Sequence, residues 1–301
     1  MNLVQDDDEL LAAGALLTDI GVPSPPKVIL ELSRMVMEPN PDYRTIAGLV
    51  NQDAALSAKV IKIINSPLFG LRKKVKSINH ALTMLGMDYF KKVVIQSSLR
   101  EVFAGGKDAH RYEKLWENNV AVSNMCKKVA EYWPKAGISS DLAYMVGLFH
   151  DCGAALMMRK FADYDQFYSD DWPPNAAHLL DREFERYQTN HCAVGCLVAR
   201  SWGLSSDMCL AIRHHHREFP EQEGVSDARC LWAILRLAQF VTGYVNHVHD
   251  GGTHRDYAFE GMSLEDLVES SLFQKLSVSL SEVLSFINEV MEQPAPPVIR
   301  G

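Results

Sequence analysis

Apolar residues along this chain recur at three- and four-residue spacing and almost nowhere in strict alternation, which predicts helices throughout. Pro25 and Pro26 open a helix, where proline's missing N–H costs nothing, and Val28, Leu32, Met35 and Val36 give it an apolar face. Asp42 caps a helix through Val50, and another crosses Ala54 to Ile64 until Asn65-Ser66-Pro67 ends it. Ser77 starts a longer helix, Ile78 to about Phe103, ahead of Gly105-Gly106. A helix from about Tyr112 to Trp133 stops at Pro134, and further helices are predicted over 141–158, 178–187, 189–202, 206–216, 229–245, 263–272 and 280–291. Residues 163–175 and 250–261 read as loops.

The class implied is all-α, a two-lobed helical bundle. Residues 1–20 are an acidic lead-in, 21–105 a first lobe, 106–293 a second lobe with the C-terminal helices, and 294–301 a proline-rich, frayed tail. A chain of 301 residues, 47% apolar and 23% charged, has the balance of an ordinary globular protein and can bury a sizeable core. A net charge of -8 argues against general affinity for nucleic acid, which needs a surplus of Lys and Arg. No stretch approaches the roughly 20 apolar residues of a membrane span, and the acidic start is unlike a basic secretory signal. The six cysteines form no C-x-x-C pair, so reduced thiols in a cytoplasmic protein are expected.

Histidine placement changes this bland picture. In "VGLFHDCG", His150 and Asp151 follow an apolar run and are flanked by Gly147 and Gly153, which permit close backbone approach or a break in the helix. His191 shares a helical face with Val194, Gly195, Val198 and Trp202. Met208, Ala211, Ile212 and His215 keep helical spacing, and His216 lies one turn beyond Ile212. Buried imidazoles and carboxylates need partners. A carbonyl or hydroxyl supplies them one at a time; for the set together, a borderline divalent metal ion is an equally good account.

With these residues in place, the chain resembles the HD superfamily of metal-dependent phosphohydrolases. More closely, "VNQDAALSAKVIKIINSPLFG", "SINHALTMLG", "LWENNVAVS", "GLFHDCGAALM" and "SWGLSSDMCLAIRHHH" resemble the HDOD domain, an HD-related output domain of bacterial signalling proteins. The resemblance runs from about Val22 to Val245 and implies an HD-like helical architecture.

Carried over residue by residue, the resemblance implies two changes from an HD hydrolase. The first histidine of the pattern is matched by Asn118, on a face with Leu115, Val122, Met125 and Val129, and the last aspartate by Gln239. Ala154 stands where a lysine often follows the doublet in related phosphodiesterases. A first metal site is thus expected to have lost two protein ligands. A second, from Asp151, His191, His215 and His216 with His150 beside them, is formally intact. At most one divalent ion (Fe, Mn, Ni or Zn) is expected. His214 is the expected exposed residue of the triple histidine, although the register can slip by one.

The function implied is a signalling module with a degenerate metal site, binding a partner protein or a small phosphate-containing ligand. The alternative is a phosphohydrolase using one metal, with Asp151 essential. No receiver, GGDEF or EAL domain is recognisable, so input and output are expected to come through other proteins. Arg72, Lys73, Lys74 and Lys76, with Lys91 and Lys92 beyond, form either a solvated basic loop or an anion and partner patch. Cys192 and Cys196 lie one turn apart beside His191; their apolar setting reads as packing in preference to zinc ligation. No phosphate-binding glycine loop and no serine-nucleophile elbow is present.

Overall fold

The computed structural model describes residues 3–38, 42–66, 70, 74–104, 109–168, 179–220, 227–249, 263, 266 and 278–292. Every regular element among them is helical, as the spacing of apolar positions requires. In chain order these are α1 (Leu3–Ile20), α2 (Lys27–Met35), α3 (Arg44–Gln52), α4 (Ala54–Ile64), α5 (Ile78–Ala104) and α6 (Glu113–Tyr132). There follow α7 (Ser140–Phe149), α8 (Cys152–Lys160), α9 (Leu179–Tyr187), α10 (His191–Ser201), α11 (Ser206–His214), α12 (Asp227–His249) and α13 (Leu280–Glu292). The described residues divide into two compact units. One lies within Met1–Val22, Arg111–Ser201 and Ser205–Pro296, the other within Pro23–His110 and Trp202–Leu204.

The second of these units is built from α2 to α5. Ile29 and Leu32 of α2, Ile46 and Val50 of α3, and Val60 and Ile64 of α4 are buried with Phe90, Val93 and Val94 of α5. Asp53 caps α4 by accepting a hydrogen bond from Leu56 N. Asn65 then ends it, its amide bonding both the N–H and the carbonyl of Val75 at 2.7 and 2.8 Å. The long helix expected from Ile78 is interrupted at Gly86, with φ 73° and ψ 166°. Trp202 also belongs here, donating from Nε1 to Pro23 O at 2.8 Å and stacking on Phe103.

In the other unit, α6 and α7 run back along each other, joined by a short 3₁₀ turn at Pro134–Ala136, and α12 packs across both. α10 packs against α8 and α11, and α1 lies on α10. The acidic lead-in is thus a helix with a core face. Ala13, Leu16 and Leu17 are buried, and so is Glu9, which pairs with Arg213 at 2.6 Å and Arg217 at 2.5 Å. Thr189 Oγ1 donates to Glu9 O at 2.9 Å, fastening the same turn.

The helix predicted over 141–158 is two helices, α7 and α8, broken at the His-Asp doublet. Tyr164–Tyr168, expected as loop, forms a 3₁₀ turn with Tyr164 fully buried. The Gly105-Gly106 boundary, the loop expected over 250–261, nearly all of the helix predicted over 263–272 and the tail lie outside the described residues. Among the described residues no helix is long and apolar enough to cross a membrane.

Candidate metal centre

The doublet sits where one helix stops and another starts. Ser139 caps α7 through Leu142 N, and the apolar run then carries the helix to Phe149. His150 keeps helical dihedrals, but Asp151 turns to φ -102° and ψ 19°, in the sparsely populated bridge region. α8 begins at the next residue, so the two side chains leave in directions an unbroken helix does not offer. The flanking glycines permit close packing on both sides. A Cβ on Gly147 would lie 2.7 Å from Ser123 Cα on α6 and 2.8 Å from Cys126 Sγ. A Cβ on Gly153 would overlap the His191 carbonyl and lie 2.5 Å from Gly195 N on α10.

The remaining histidines are held from outside the cluster. Asn190 Oδ1 accepts from Ala193 N at 2.9 Å, starting α10 with His191 as its first residue. His191 Nδ1 lies 2.9 Å from both oxygens of Glu183, and Glu183 Oε2 also accepts from His191 N at 2.9 Å. The Tyr164 hydroxyl donates to Glu183 Oε1. His215 follows the last residue of α11, its Nδ1 2.7 Å from Ile212 O. From α12, Trp232 Nε1 donates to His214 O at 2.8 Å and Arg236 Nη1 to His215 O at 2.9 Å, which fixes that turn. His150 Nδ1 lies 2.7 Å from Gly147 O.

These contacts settle where the lone pairs point. A carbonyl oxygen only accepts, so Nδ1 of His150 and of His215 must carry a proton. In the neutral ring each Nε2 is then an acceptor. His191 is oriented in the same way by Glu183, an arrangement recurrent among metal-binding histidines. The three Nε2 atoms converge on Asp151. His150 Nε2 is 3.1 Å from Oδ2, out of line for a hydrogen bond, while His191 and His215 Nε2 are 3.4 and 3.3 Å from Oδ1. His191 and His215 Nε2 are 3.3 Å apart. All four groups are buried.

Acceptors pointed at acceptors require a cation or protons between them. Burial pushes the Asp151 carboxyl up, but the neighbouring imidazoles of His150, His215 and His191 outweigh it and hold the group well below the usual carboxylate range. Burial lowers His191, yet Cys192 and Glu183 raise it well above an ordinary imidazole. Two overlapping sets have donor atoms within 4.8 Å of one another: His150, Asp151 and His215, and His191, Cys192, His215 and His216. Imidazole nitrogens and a carboxylate with buried atoms left unbonded fit a borderline divalent ion.

The structure therefore brings His150, Asp151, His191, His215 and His216 together, with His216 half-buried and its ring centroid 4.2 Å from that of His215. His214, expected on the surface, is instead buried against Phe219. Burial and the neighbouring charges of Arg213 and Arg217 push its pKa down to about 4. Asn118, expected inward, is half-buried; its neighbour Asn119 is only 4% exposed and its Oδ1 lacks a hydrogen-bond partner. The inward face of α6 runs through Leu115, Asn119, Val122, Cys126 and Val129. Because α6 and α7 run back to back and touch at Ser123 and Gly147, one helical turn puts residue 119 level with His150. Gln239 is buried on α12, its Oε1 also unpartnered.

Lys74 and Lys76 are exposed, whereas Arg72 and Lys73 lie outside the described residues. Lys91 is not part of an open basic patch: it is buried, its ammonium 3.7 Å from the centre of the Tyr43 ring. Sequence reasoning missed Glu183, Tyr164 and Arg236, and it assigned Cys192 to packing. Cys192 Sγ lies 3.5 Å from His191 Nε2, inside the cluster. Burial raises its thiol, but His191 and His215 more than reverse this and lower it to about 6.

Comparison with known proteins fits this geometry. An HDOD protein of unknown function from Geobacter sulfurreducens is 21% identical, with a TM-score of 0.69 and 94% of each chain covered. A protein from Shewanella amazonensis SB2B, named as a candidate phosphohydrolase, is 20% identical with a TM-score of 0.60, over 92% of this chain and 94% of that one. Both likenesses concern the fold. In sequence, an uncharacterized protein of Treponema pallidum (strain Nichols) is 23% identical over 218 residues, 71% of this chain and 41% of that protein. The chain thus spans less than half the length of that relative. The HDOD domain family matches residues 22–218, from Val22, just ahead of α2, to just beyond the triple histidine. The chain belongs to the HDOD domain family.

Proposed function

We propose that the chain is a regulatory HDOD module whose degenerate HD-type site holds one divalent cation, and which acts by binding a signalling protein or a small phosphate-containing ligand. The observation that carries this is an asymmetry. Three Nε2 atoms converge on the Asp151 carboxylate, while α6 and α12, which pack together, carry two buried neutral amides, Asn119 and Gln239. Amides supply neither the charge nor the basicity that a second transition metal needs. Two-ion hydrolysis depends on a pair of ions to generate hydroxide and clamp the scissile phosphate.

Asp151, His191 and His215 would hold the ion, with His150 and His216 beside them; bound there, it would act as a Lewis acid and a cross-link. The chain's own contribution is positional. Glu183 orients His191, the Gly147 carbonyl orients His150, and Trp232 and Arg236 fix the turn bearing His215. A change at the centre thereby acts on the α7–α8 break, the start of α10 and the end of α11 together. Exposed Lys74 and Lys76 are candidates for contact with an acidic or phosphate-bearing partner. The free cysteines, most of them buried, support a cytoplasmic setting.

Metal analysis of protein purified without chelator, with assays of phosphodiester and nucleotide hydrolysis in added manganese, iron, nickel or zinc, tests the proposal. One ion per chain and no turnover is the expected result. Two tightly bound ions overturn the single-ion reading. The second reading, a single-metal phosphohydrolase, is favoured by the Glu183–His191 pair, which also serves catalytic ligands elsewhere. Turnover abolished by Asp151→Ala would establish it instead.

A further inference from the structure

Cys192 is the feature of the centre that the HD pattern leaves unexplained. It follows His191 at the start of α10 and is fully buried. Its Sγ lies 3.5 Å from His191 Nε2 and beside the His215 ring, 3.5 Å from Nδ1 and 4.0 Å from Nε2, and the two Nε2 atoms are 3.3 Å apart. A tetrahedral zinc ion binds nitrogen at about 2.0–2.1 Å and sulfur at about 2.3 Å. Those lengths separate two ligand nitrogens by about 3.3–3.4 Å, and a nitrogen from a sulfur by about 3.6 Å. The nitrogen–nitrogen edge matches, one nitrogen–sulfur edge is within a tenth of an ångström, and the other is longer by a few tenths. Asp151 Oδ1 lies 3.4 and 3.3 Å from the same two nitrogens, in the donor set that overlaps this one at His215.

The other buried cysteines do not share this setting. Cys152 Sγ lies 3.7 Å from Gly195 O, and Cys126 faces Gly147 across the α6–α7 contact. We infer that Cys192 Sγ is a ligand to the ion held by His191 and His215, making the centre a mixed nitrogen–sulfur site that selects zinc over manganese or magnesium. This rests on the single-ion reading above and adds the ligand that decides which ion. Binding replaces the thiol proton of Cys192, which leaves to solvent, and forms a metal–sulfur bond with no change of oxidation state. A soft thiolate strengthens binding to zinc far more than to hard, oxygen-seeking ions.

Cobalt(II) is the probe, because a cobalt–thiolate bond gives a charge-transfer absorption in the near ultraviolet that imidazole and carboxylate ligands do not. The full chain is stripped with chelator, reloaded with cobalt and measured for both metal content and absorption. Cys192→Ser and Cys230→Ser are treated alike, and far-ultraviolet circular dichroism checks the fold of each. The expected result is about one cobalt per chain with the band in the parent protein and in Cys230→Ser, and the band lost in Cys192→Ser. Zinc affinity of Cys192→Ser should fall by at least about tenfold while manganese affinity is unchanged. Stoichiometric cobalt without the band overturns thiolate ligation and leaves the single-ion reading standing. No retention of cobalt or zinc overturns both. Should Cys192→Ser fail to fold, the presence or absence of the band in the parent protein, with Cys230→Ser as control, still decides.

Discussion

Glu183 is eight residues before His191, yet it accepts hydrogen bonds from both the ring and the backbone of that histidine. Its carboxylate also receives the Tyr164 hydroxyl, so the side chain is fixed on every side. Glu183→Gln keeps the shape but removes the charge that raises the basicity of His191. The expected outcome is metal binding weakened by about 10- to 100-fold, read by competition with a chelator of known affinity, with the helical content unchanged. Unaltered affinity in the folded variant would mean that Glu183 serves packing alone. No spacing rule points to this residue, because a turn containing Gln188 at φ 59° separates α9 from α10. Spacing alone does not separate Asn118 from its neighbour for a related reason. Leu115, Val122, Met125 and Val129 define an apolar arc broad enough to touch either asparagine, and only the buried Ser123 and Cys126 centre it on Asn119. The doublet, His191 and His215 were legible because each ends or begins an apolar run, where a buried polar group stands out.

Elements meet at this centre through backbone, which makes their junctions sensitive to single atoms. Gly153→Ala would drive a methyl into the His191 carbonyl and toward Gly195 N, neither of which is a flexible side-chain end. Relief requires α8 and α10 to separate, so a loss of about 1–3 kcal/mol is expected, together with weaker metal binding because His191 moves with α10. Denaturant unfolding and metal titration of the same variant check both. The flanking glycines permitted a break between α7 and α8, but apolar residues continue at helical spacing across it, so one helix was expected; only Asp151 departs from helical dihedrals. α1 was likewise hidden by its acidic residues, although Glu9 is the one that matters. Burial raises its carboxyl, but Arg217 and Arg213 prevail and lower it. A lowered folded pKa means that the stabilisation is complete above the unfolded value of about 4.3 and is lost as pH falls through the folded one. Glu9→Gln should cost about 3 kcal/mol at neutral pH by leaving two arginines short of their counter-charge. Its stability should also fall less steeply than the parent's below about pH 4.3. Parallel acid slopes in urea melts would exclude Glu9 as a contributor.

Across the whole molecule, the all-helical class followed from apolar periodicity alone, and the buried face of nearly every described helix was legible from it. What the sequence left open were the relations between distant segments: α1 on α10, α12 across α6, and the turn that returns Glu183 to His191. These depend on contacts that no local window contains. The same relations give the most demanding test of degeneracy. Asn119 and Gln239 are buried on two helices that pack together, each with a carbonyl oxygen lacking a partner. Converting them together to Asn119→His and Gln239→Asp puts an imidazole and a carboxylate where two buried neutral amides now stand. Without metal, a further buried carboxylate is unfavourable, so the double variant should melt below the parent. With manganese or iron in excess it should bind a second ion and recover stability, by about 2.7 kcal/mol when the free ion is a hundred times its dissociation constant. Asn118→His with Gln239→Asp is the control, because Asn118 lies off the buried face and should not add an ion. Metal content of two per chain in the Asn119 variant and one in the Asn118 variant is expected. Equal content in both, with both folded, would remove Asn119 as the missing ligand position and with it this argument for the proposed single-ion site.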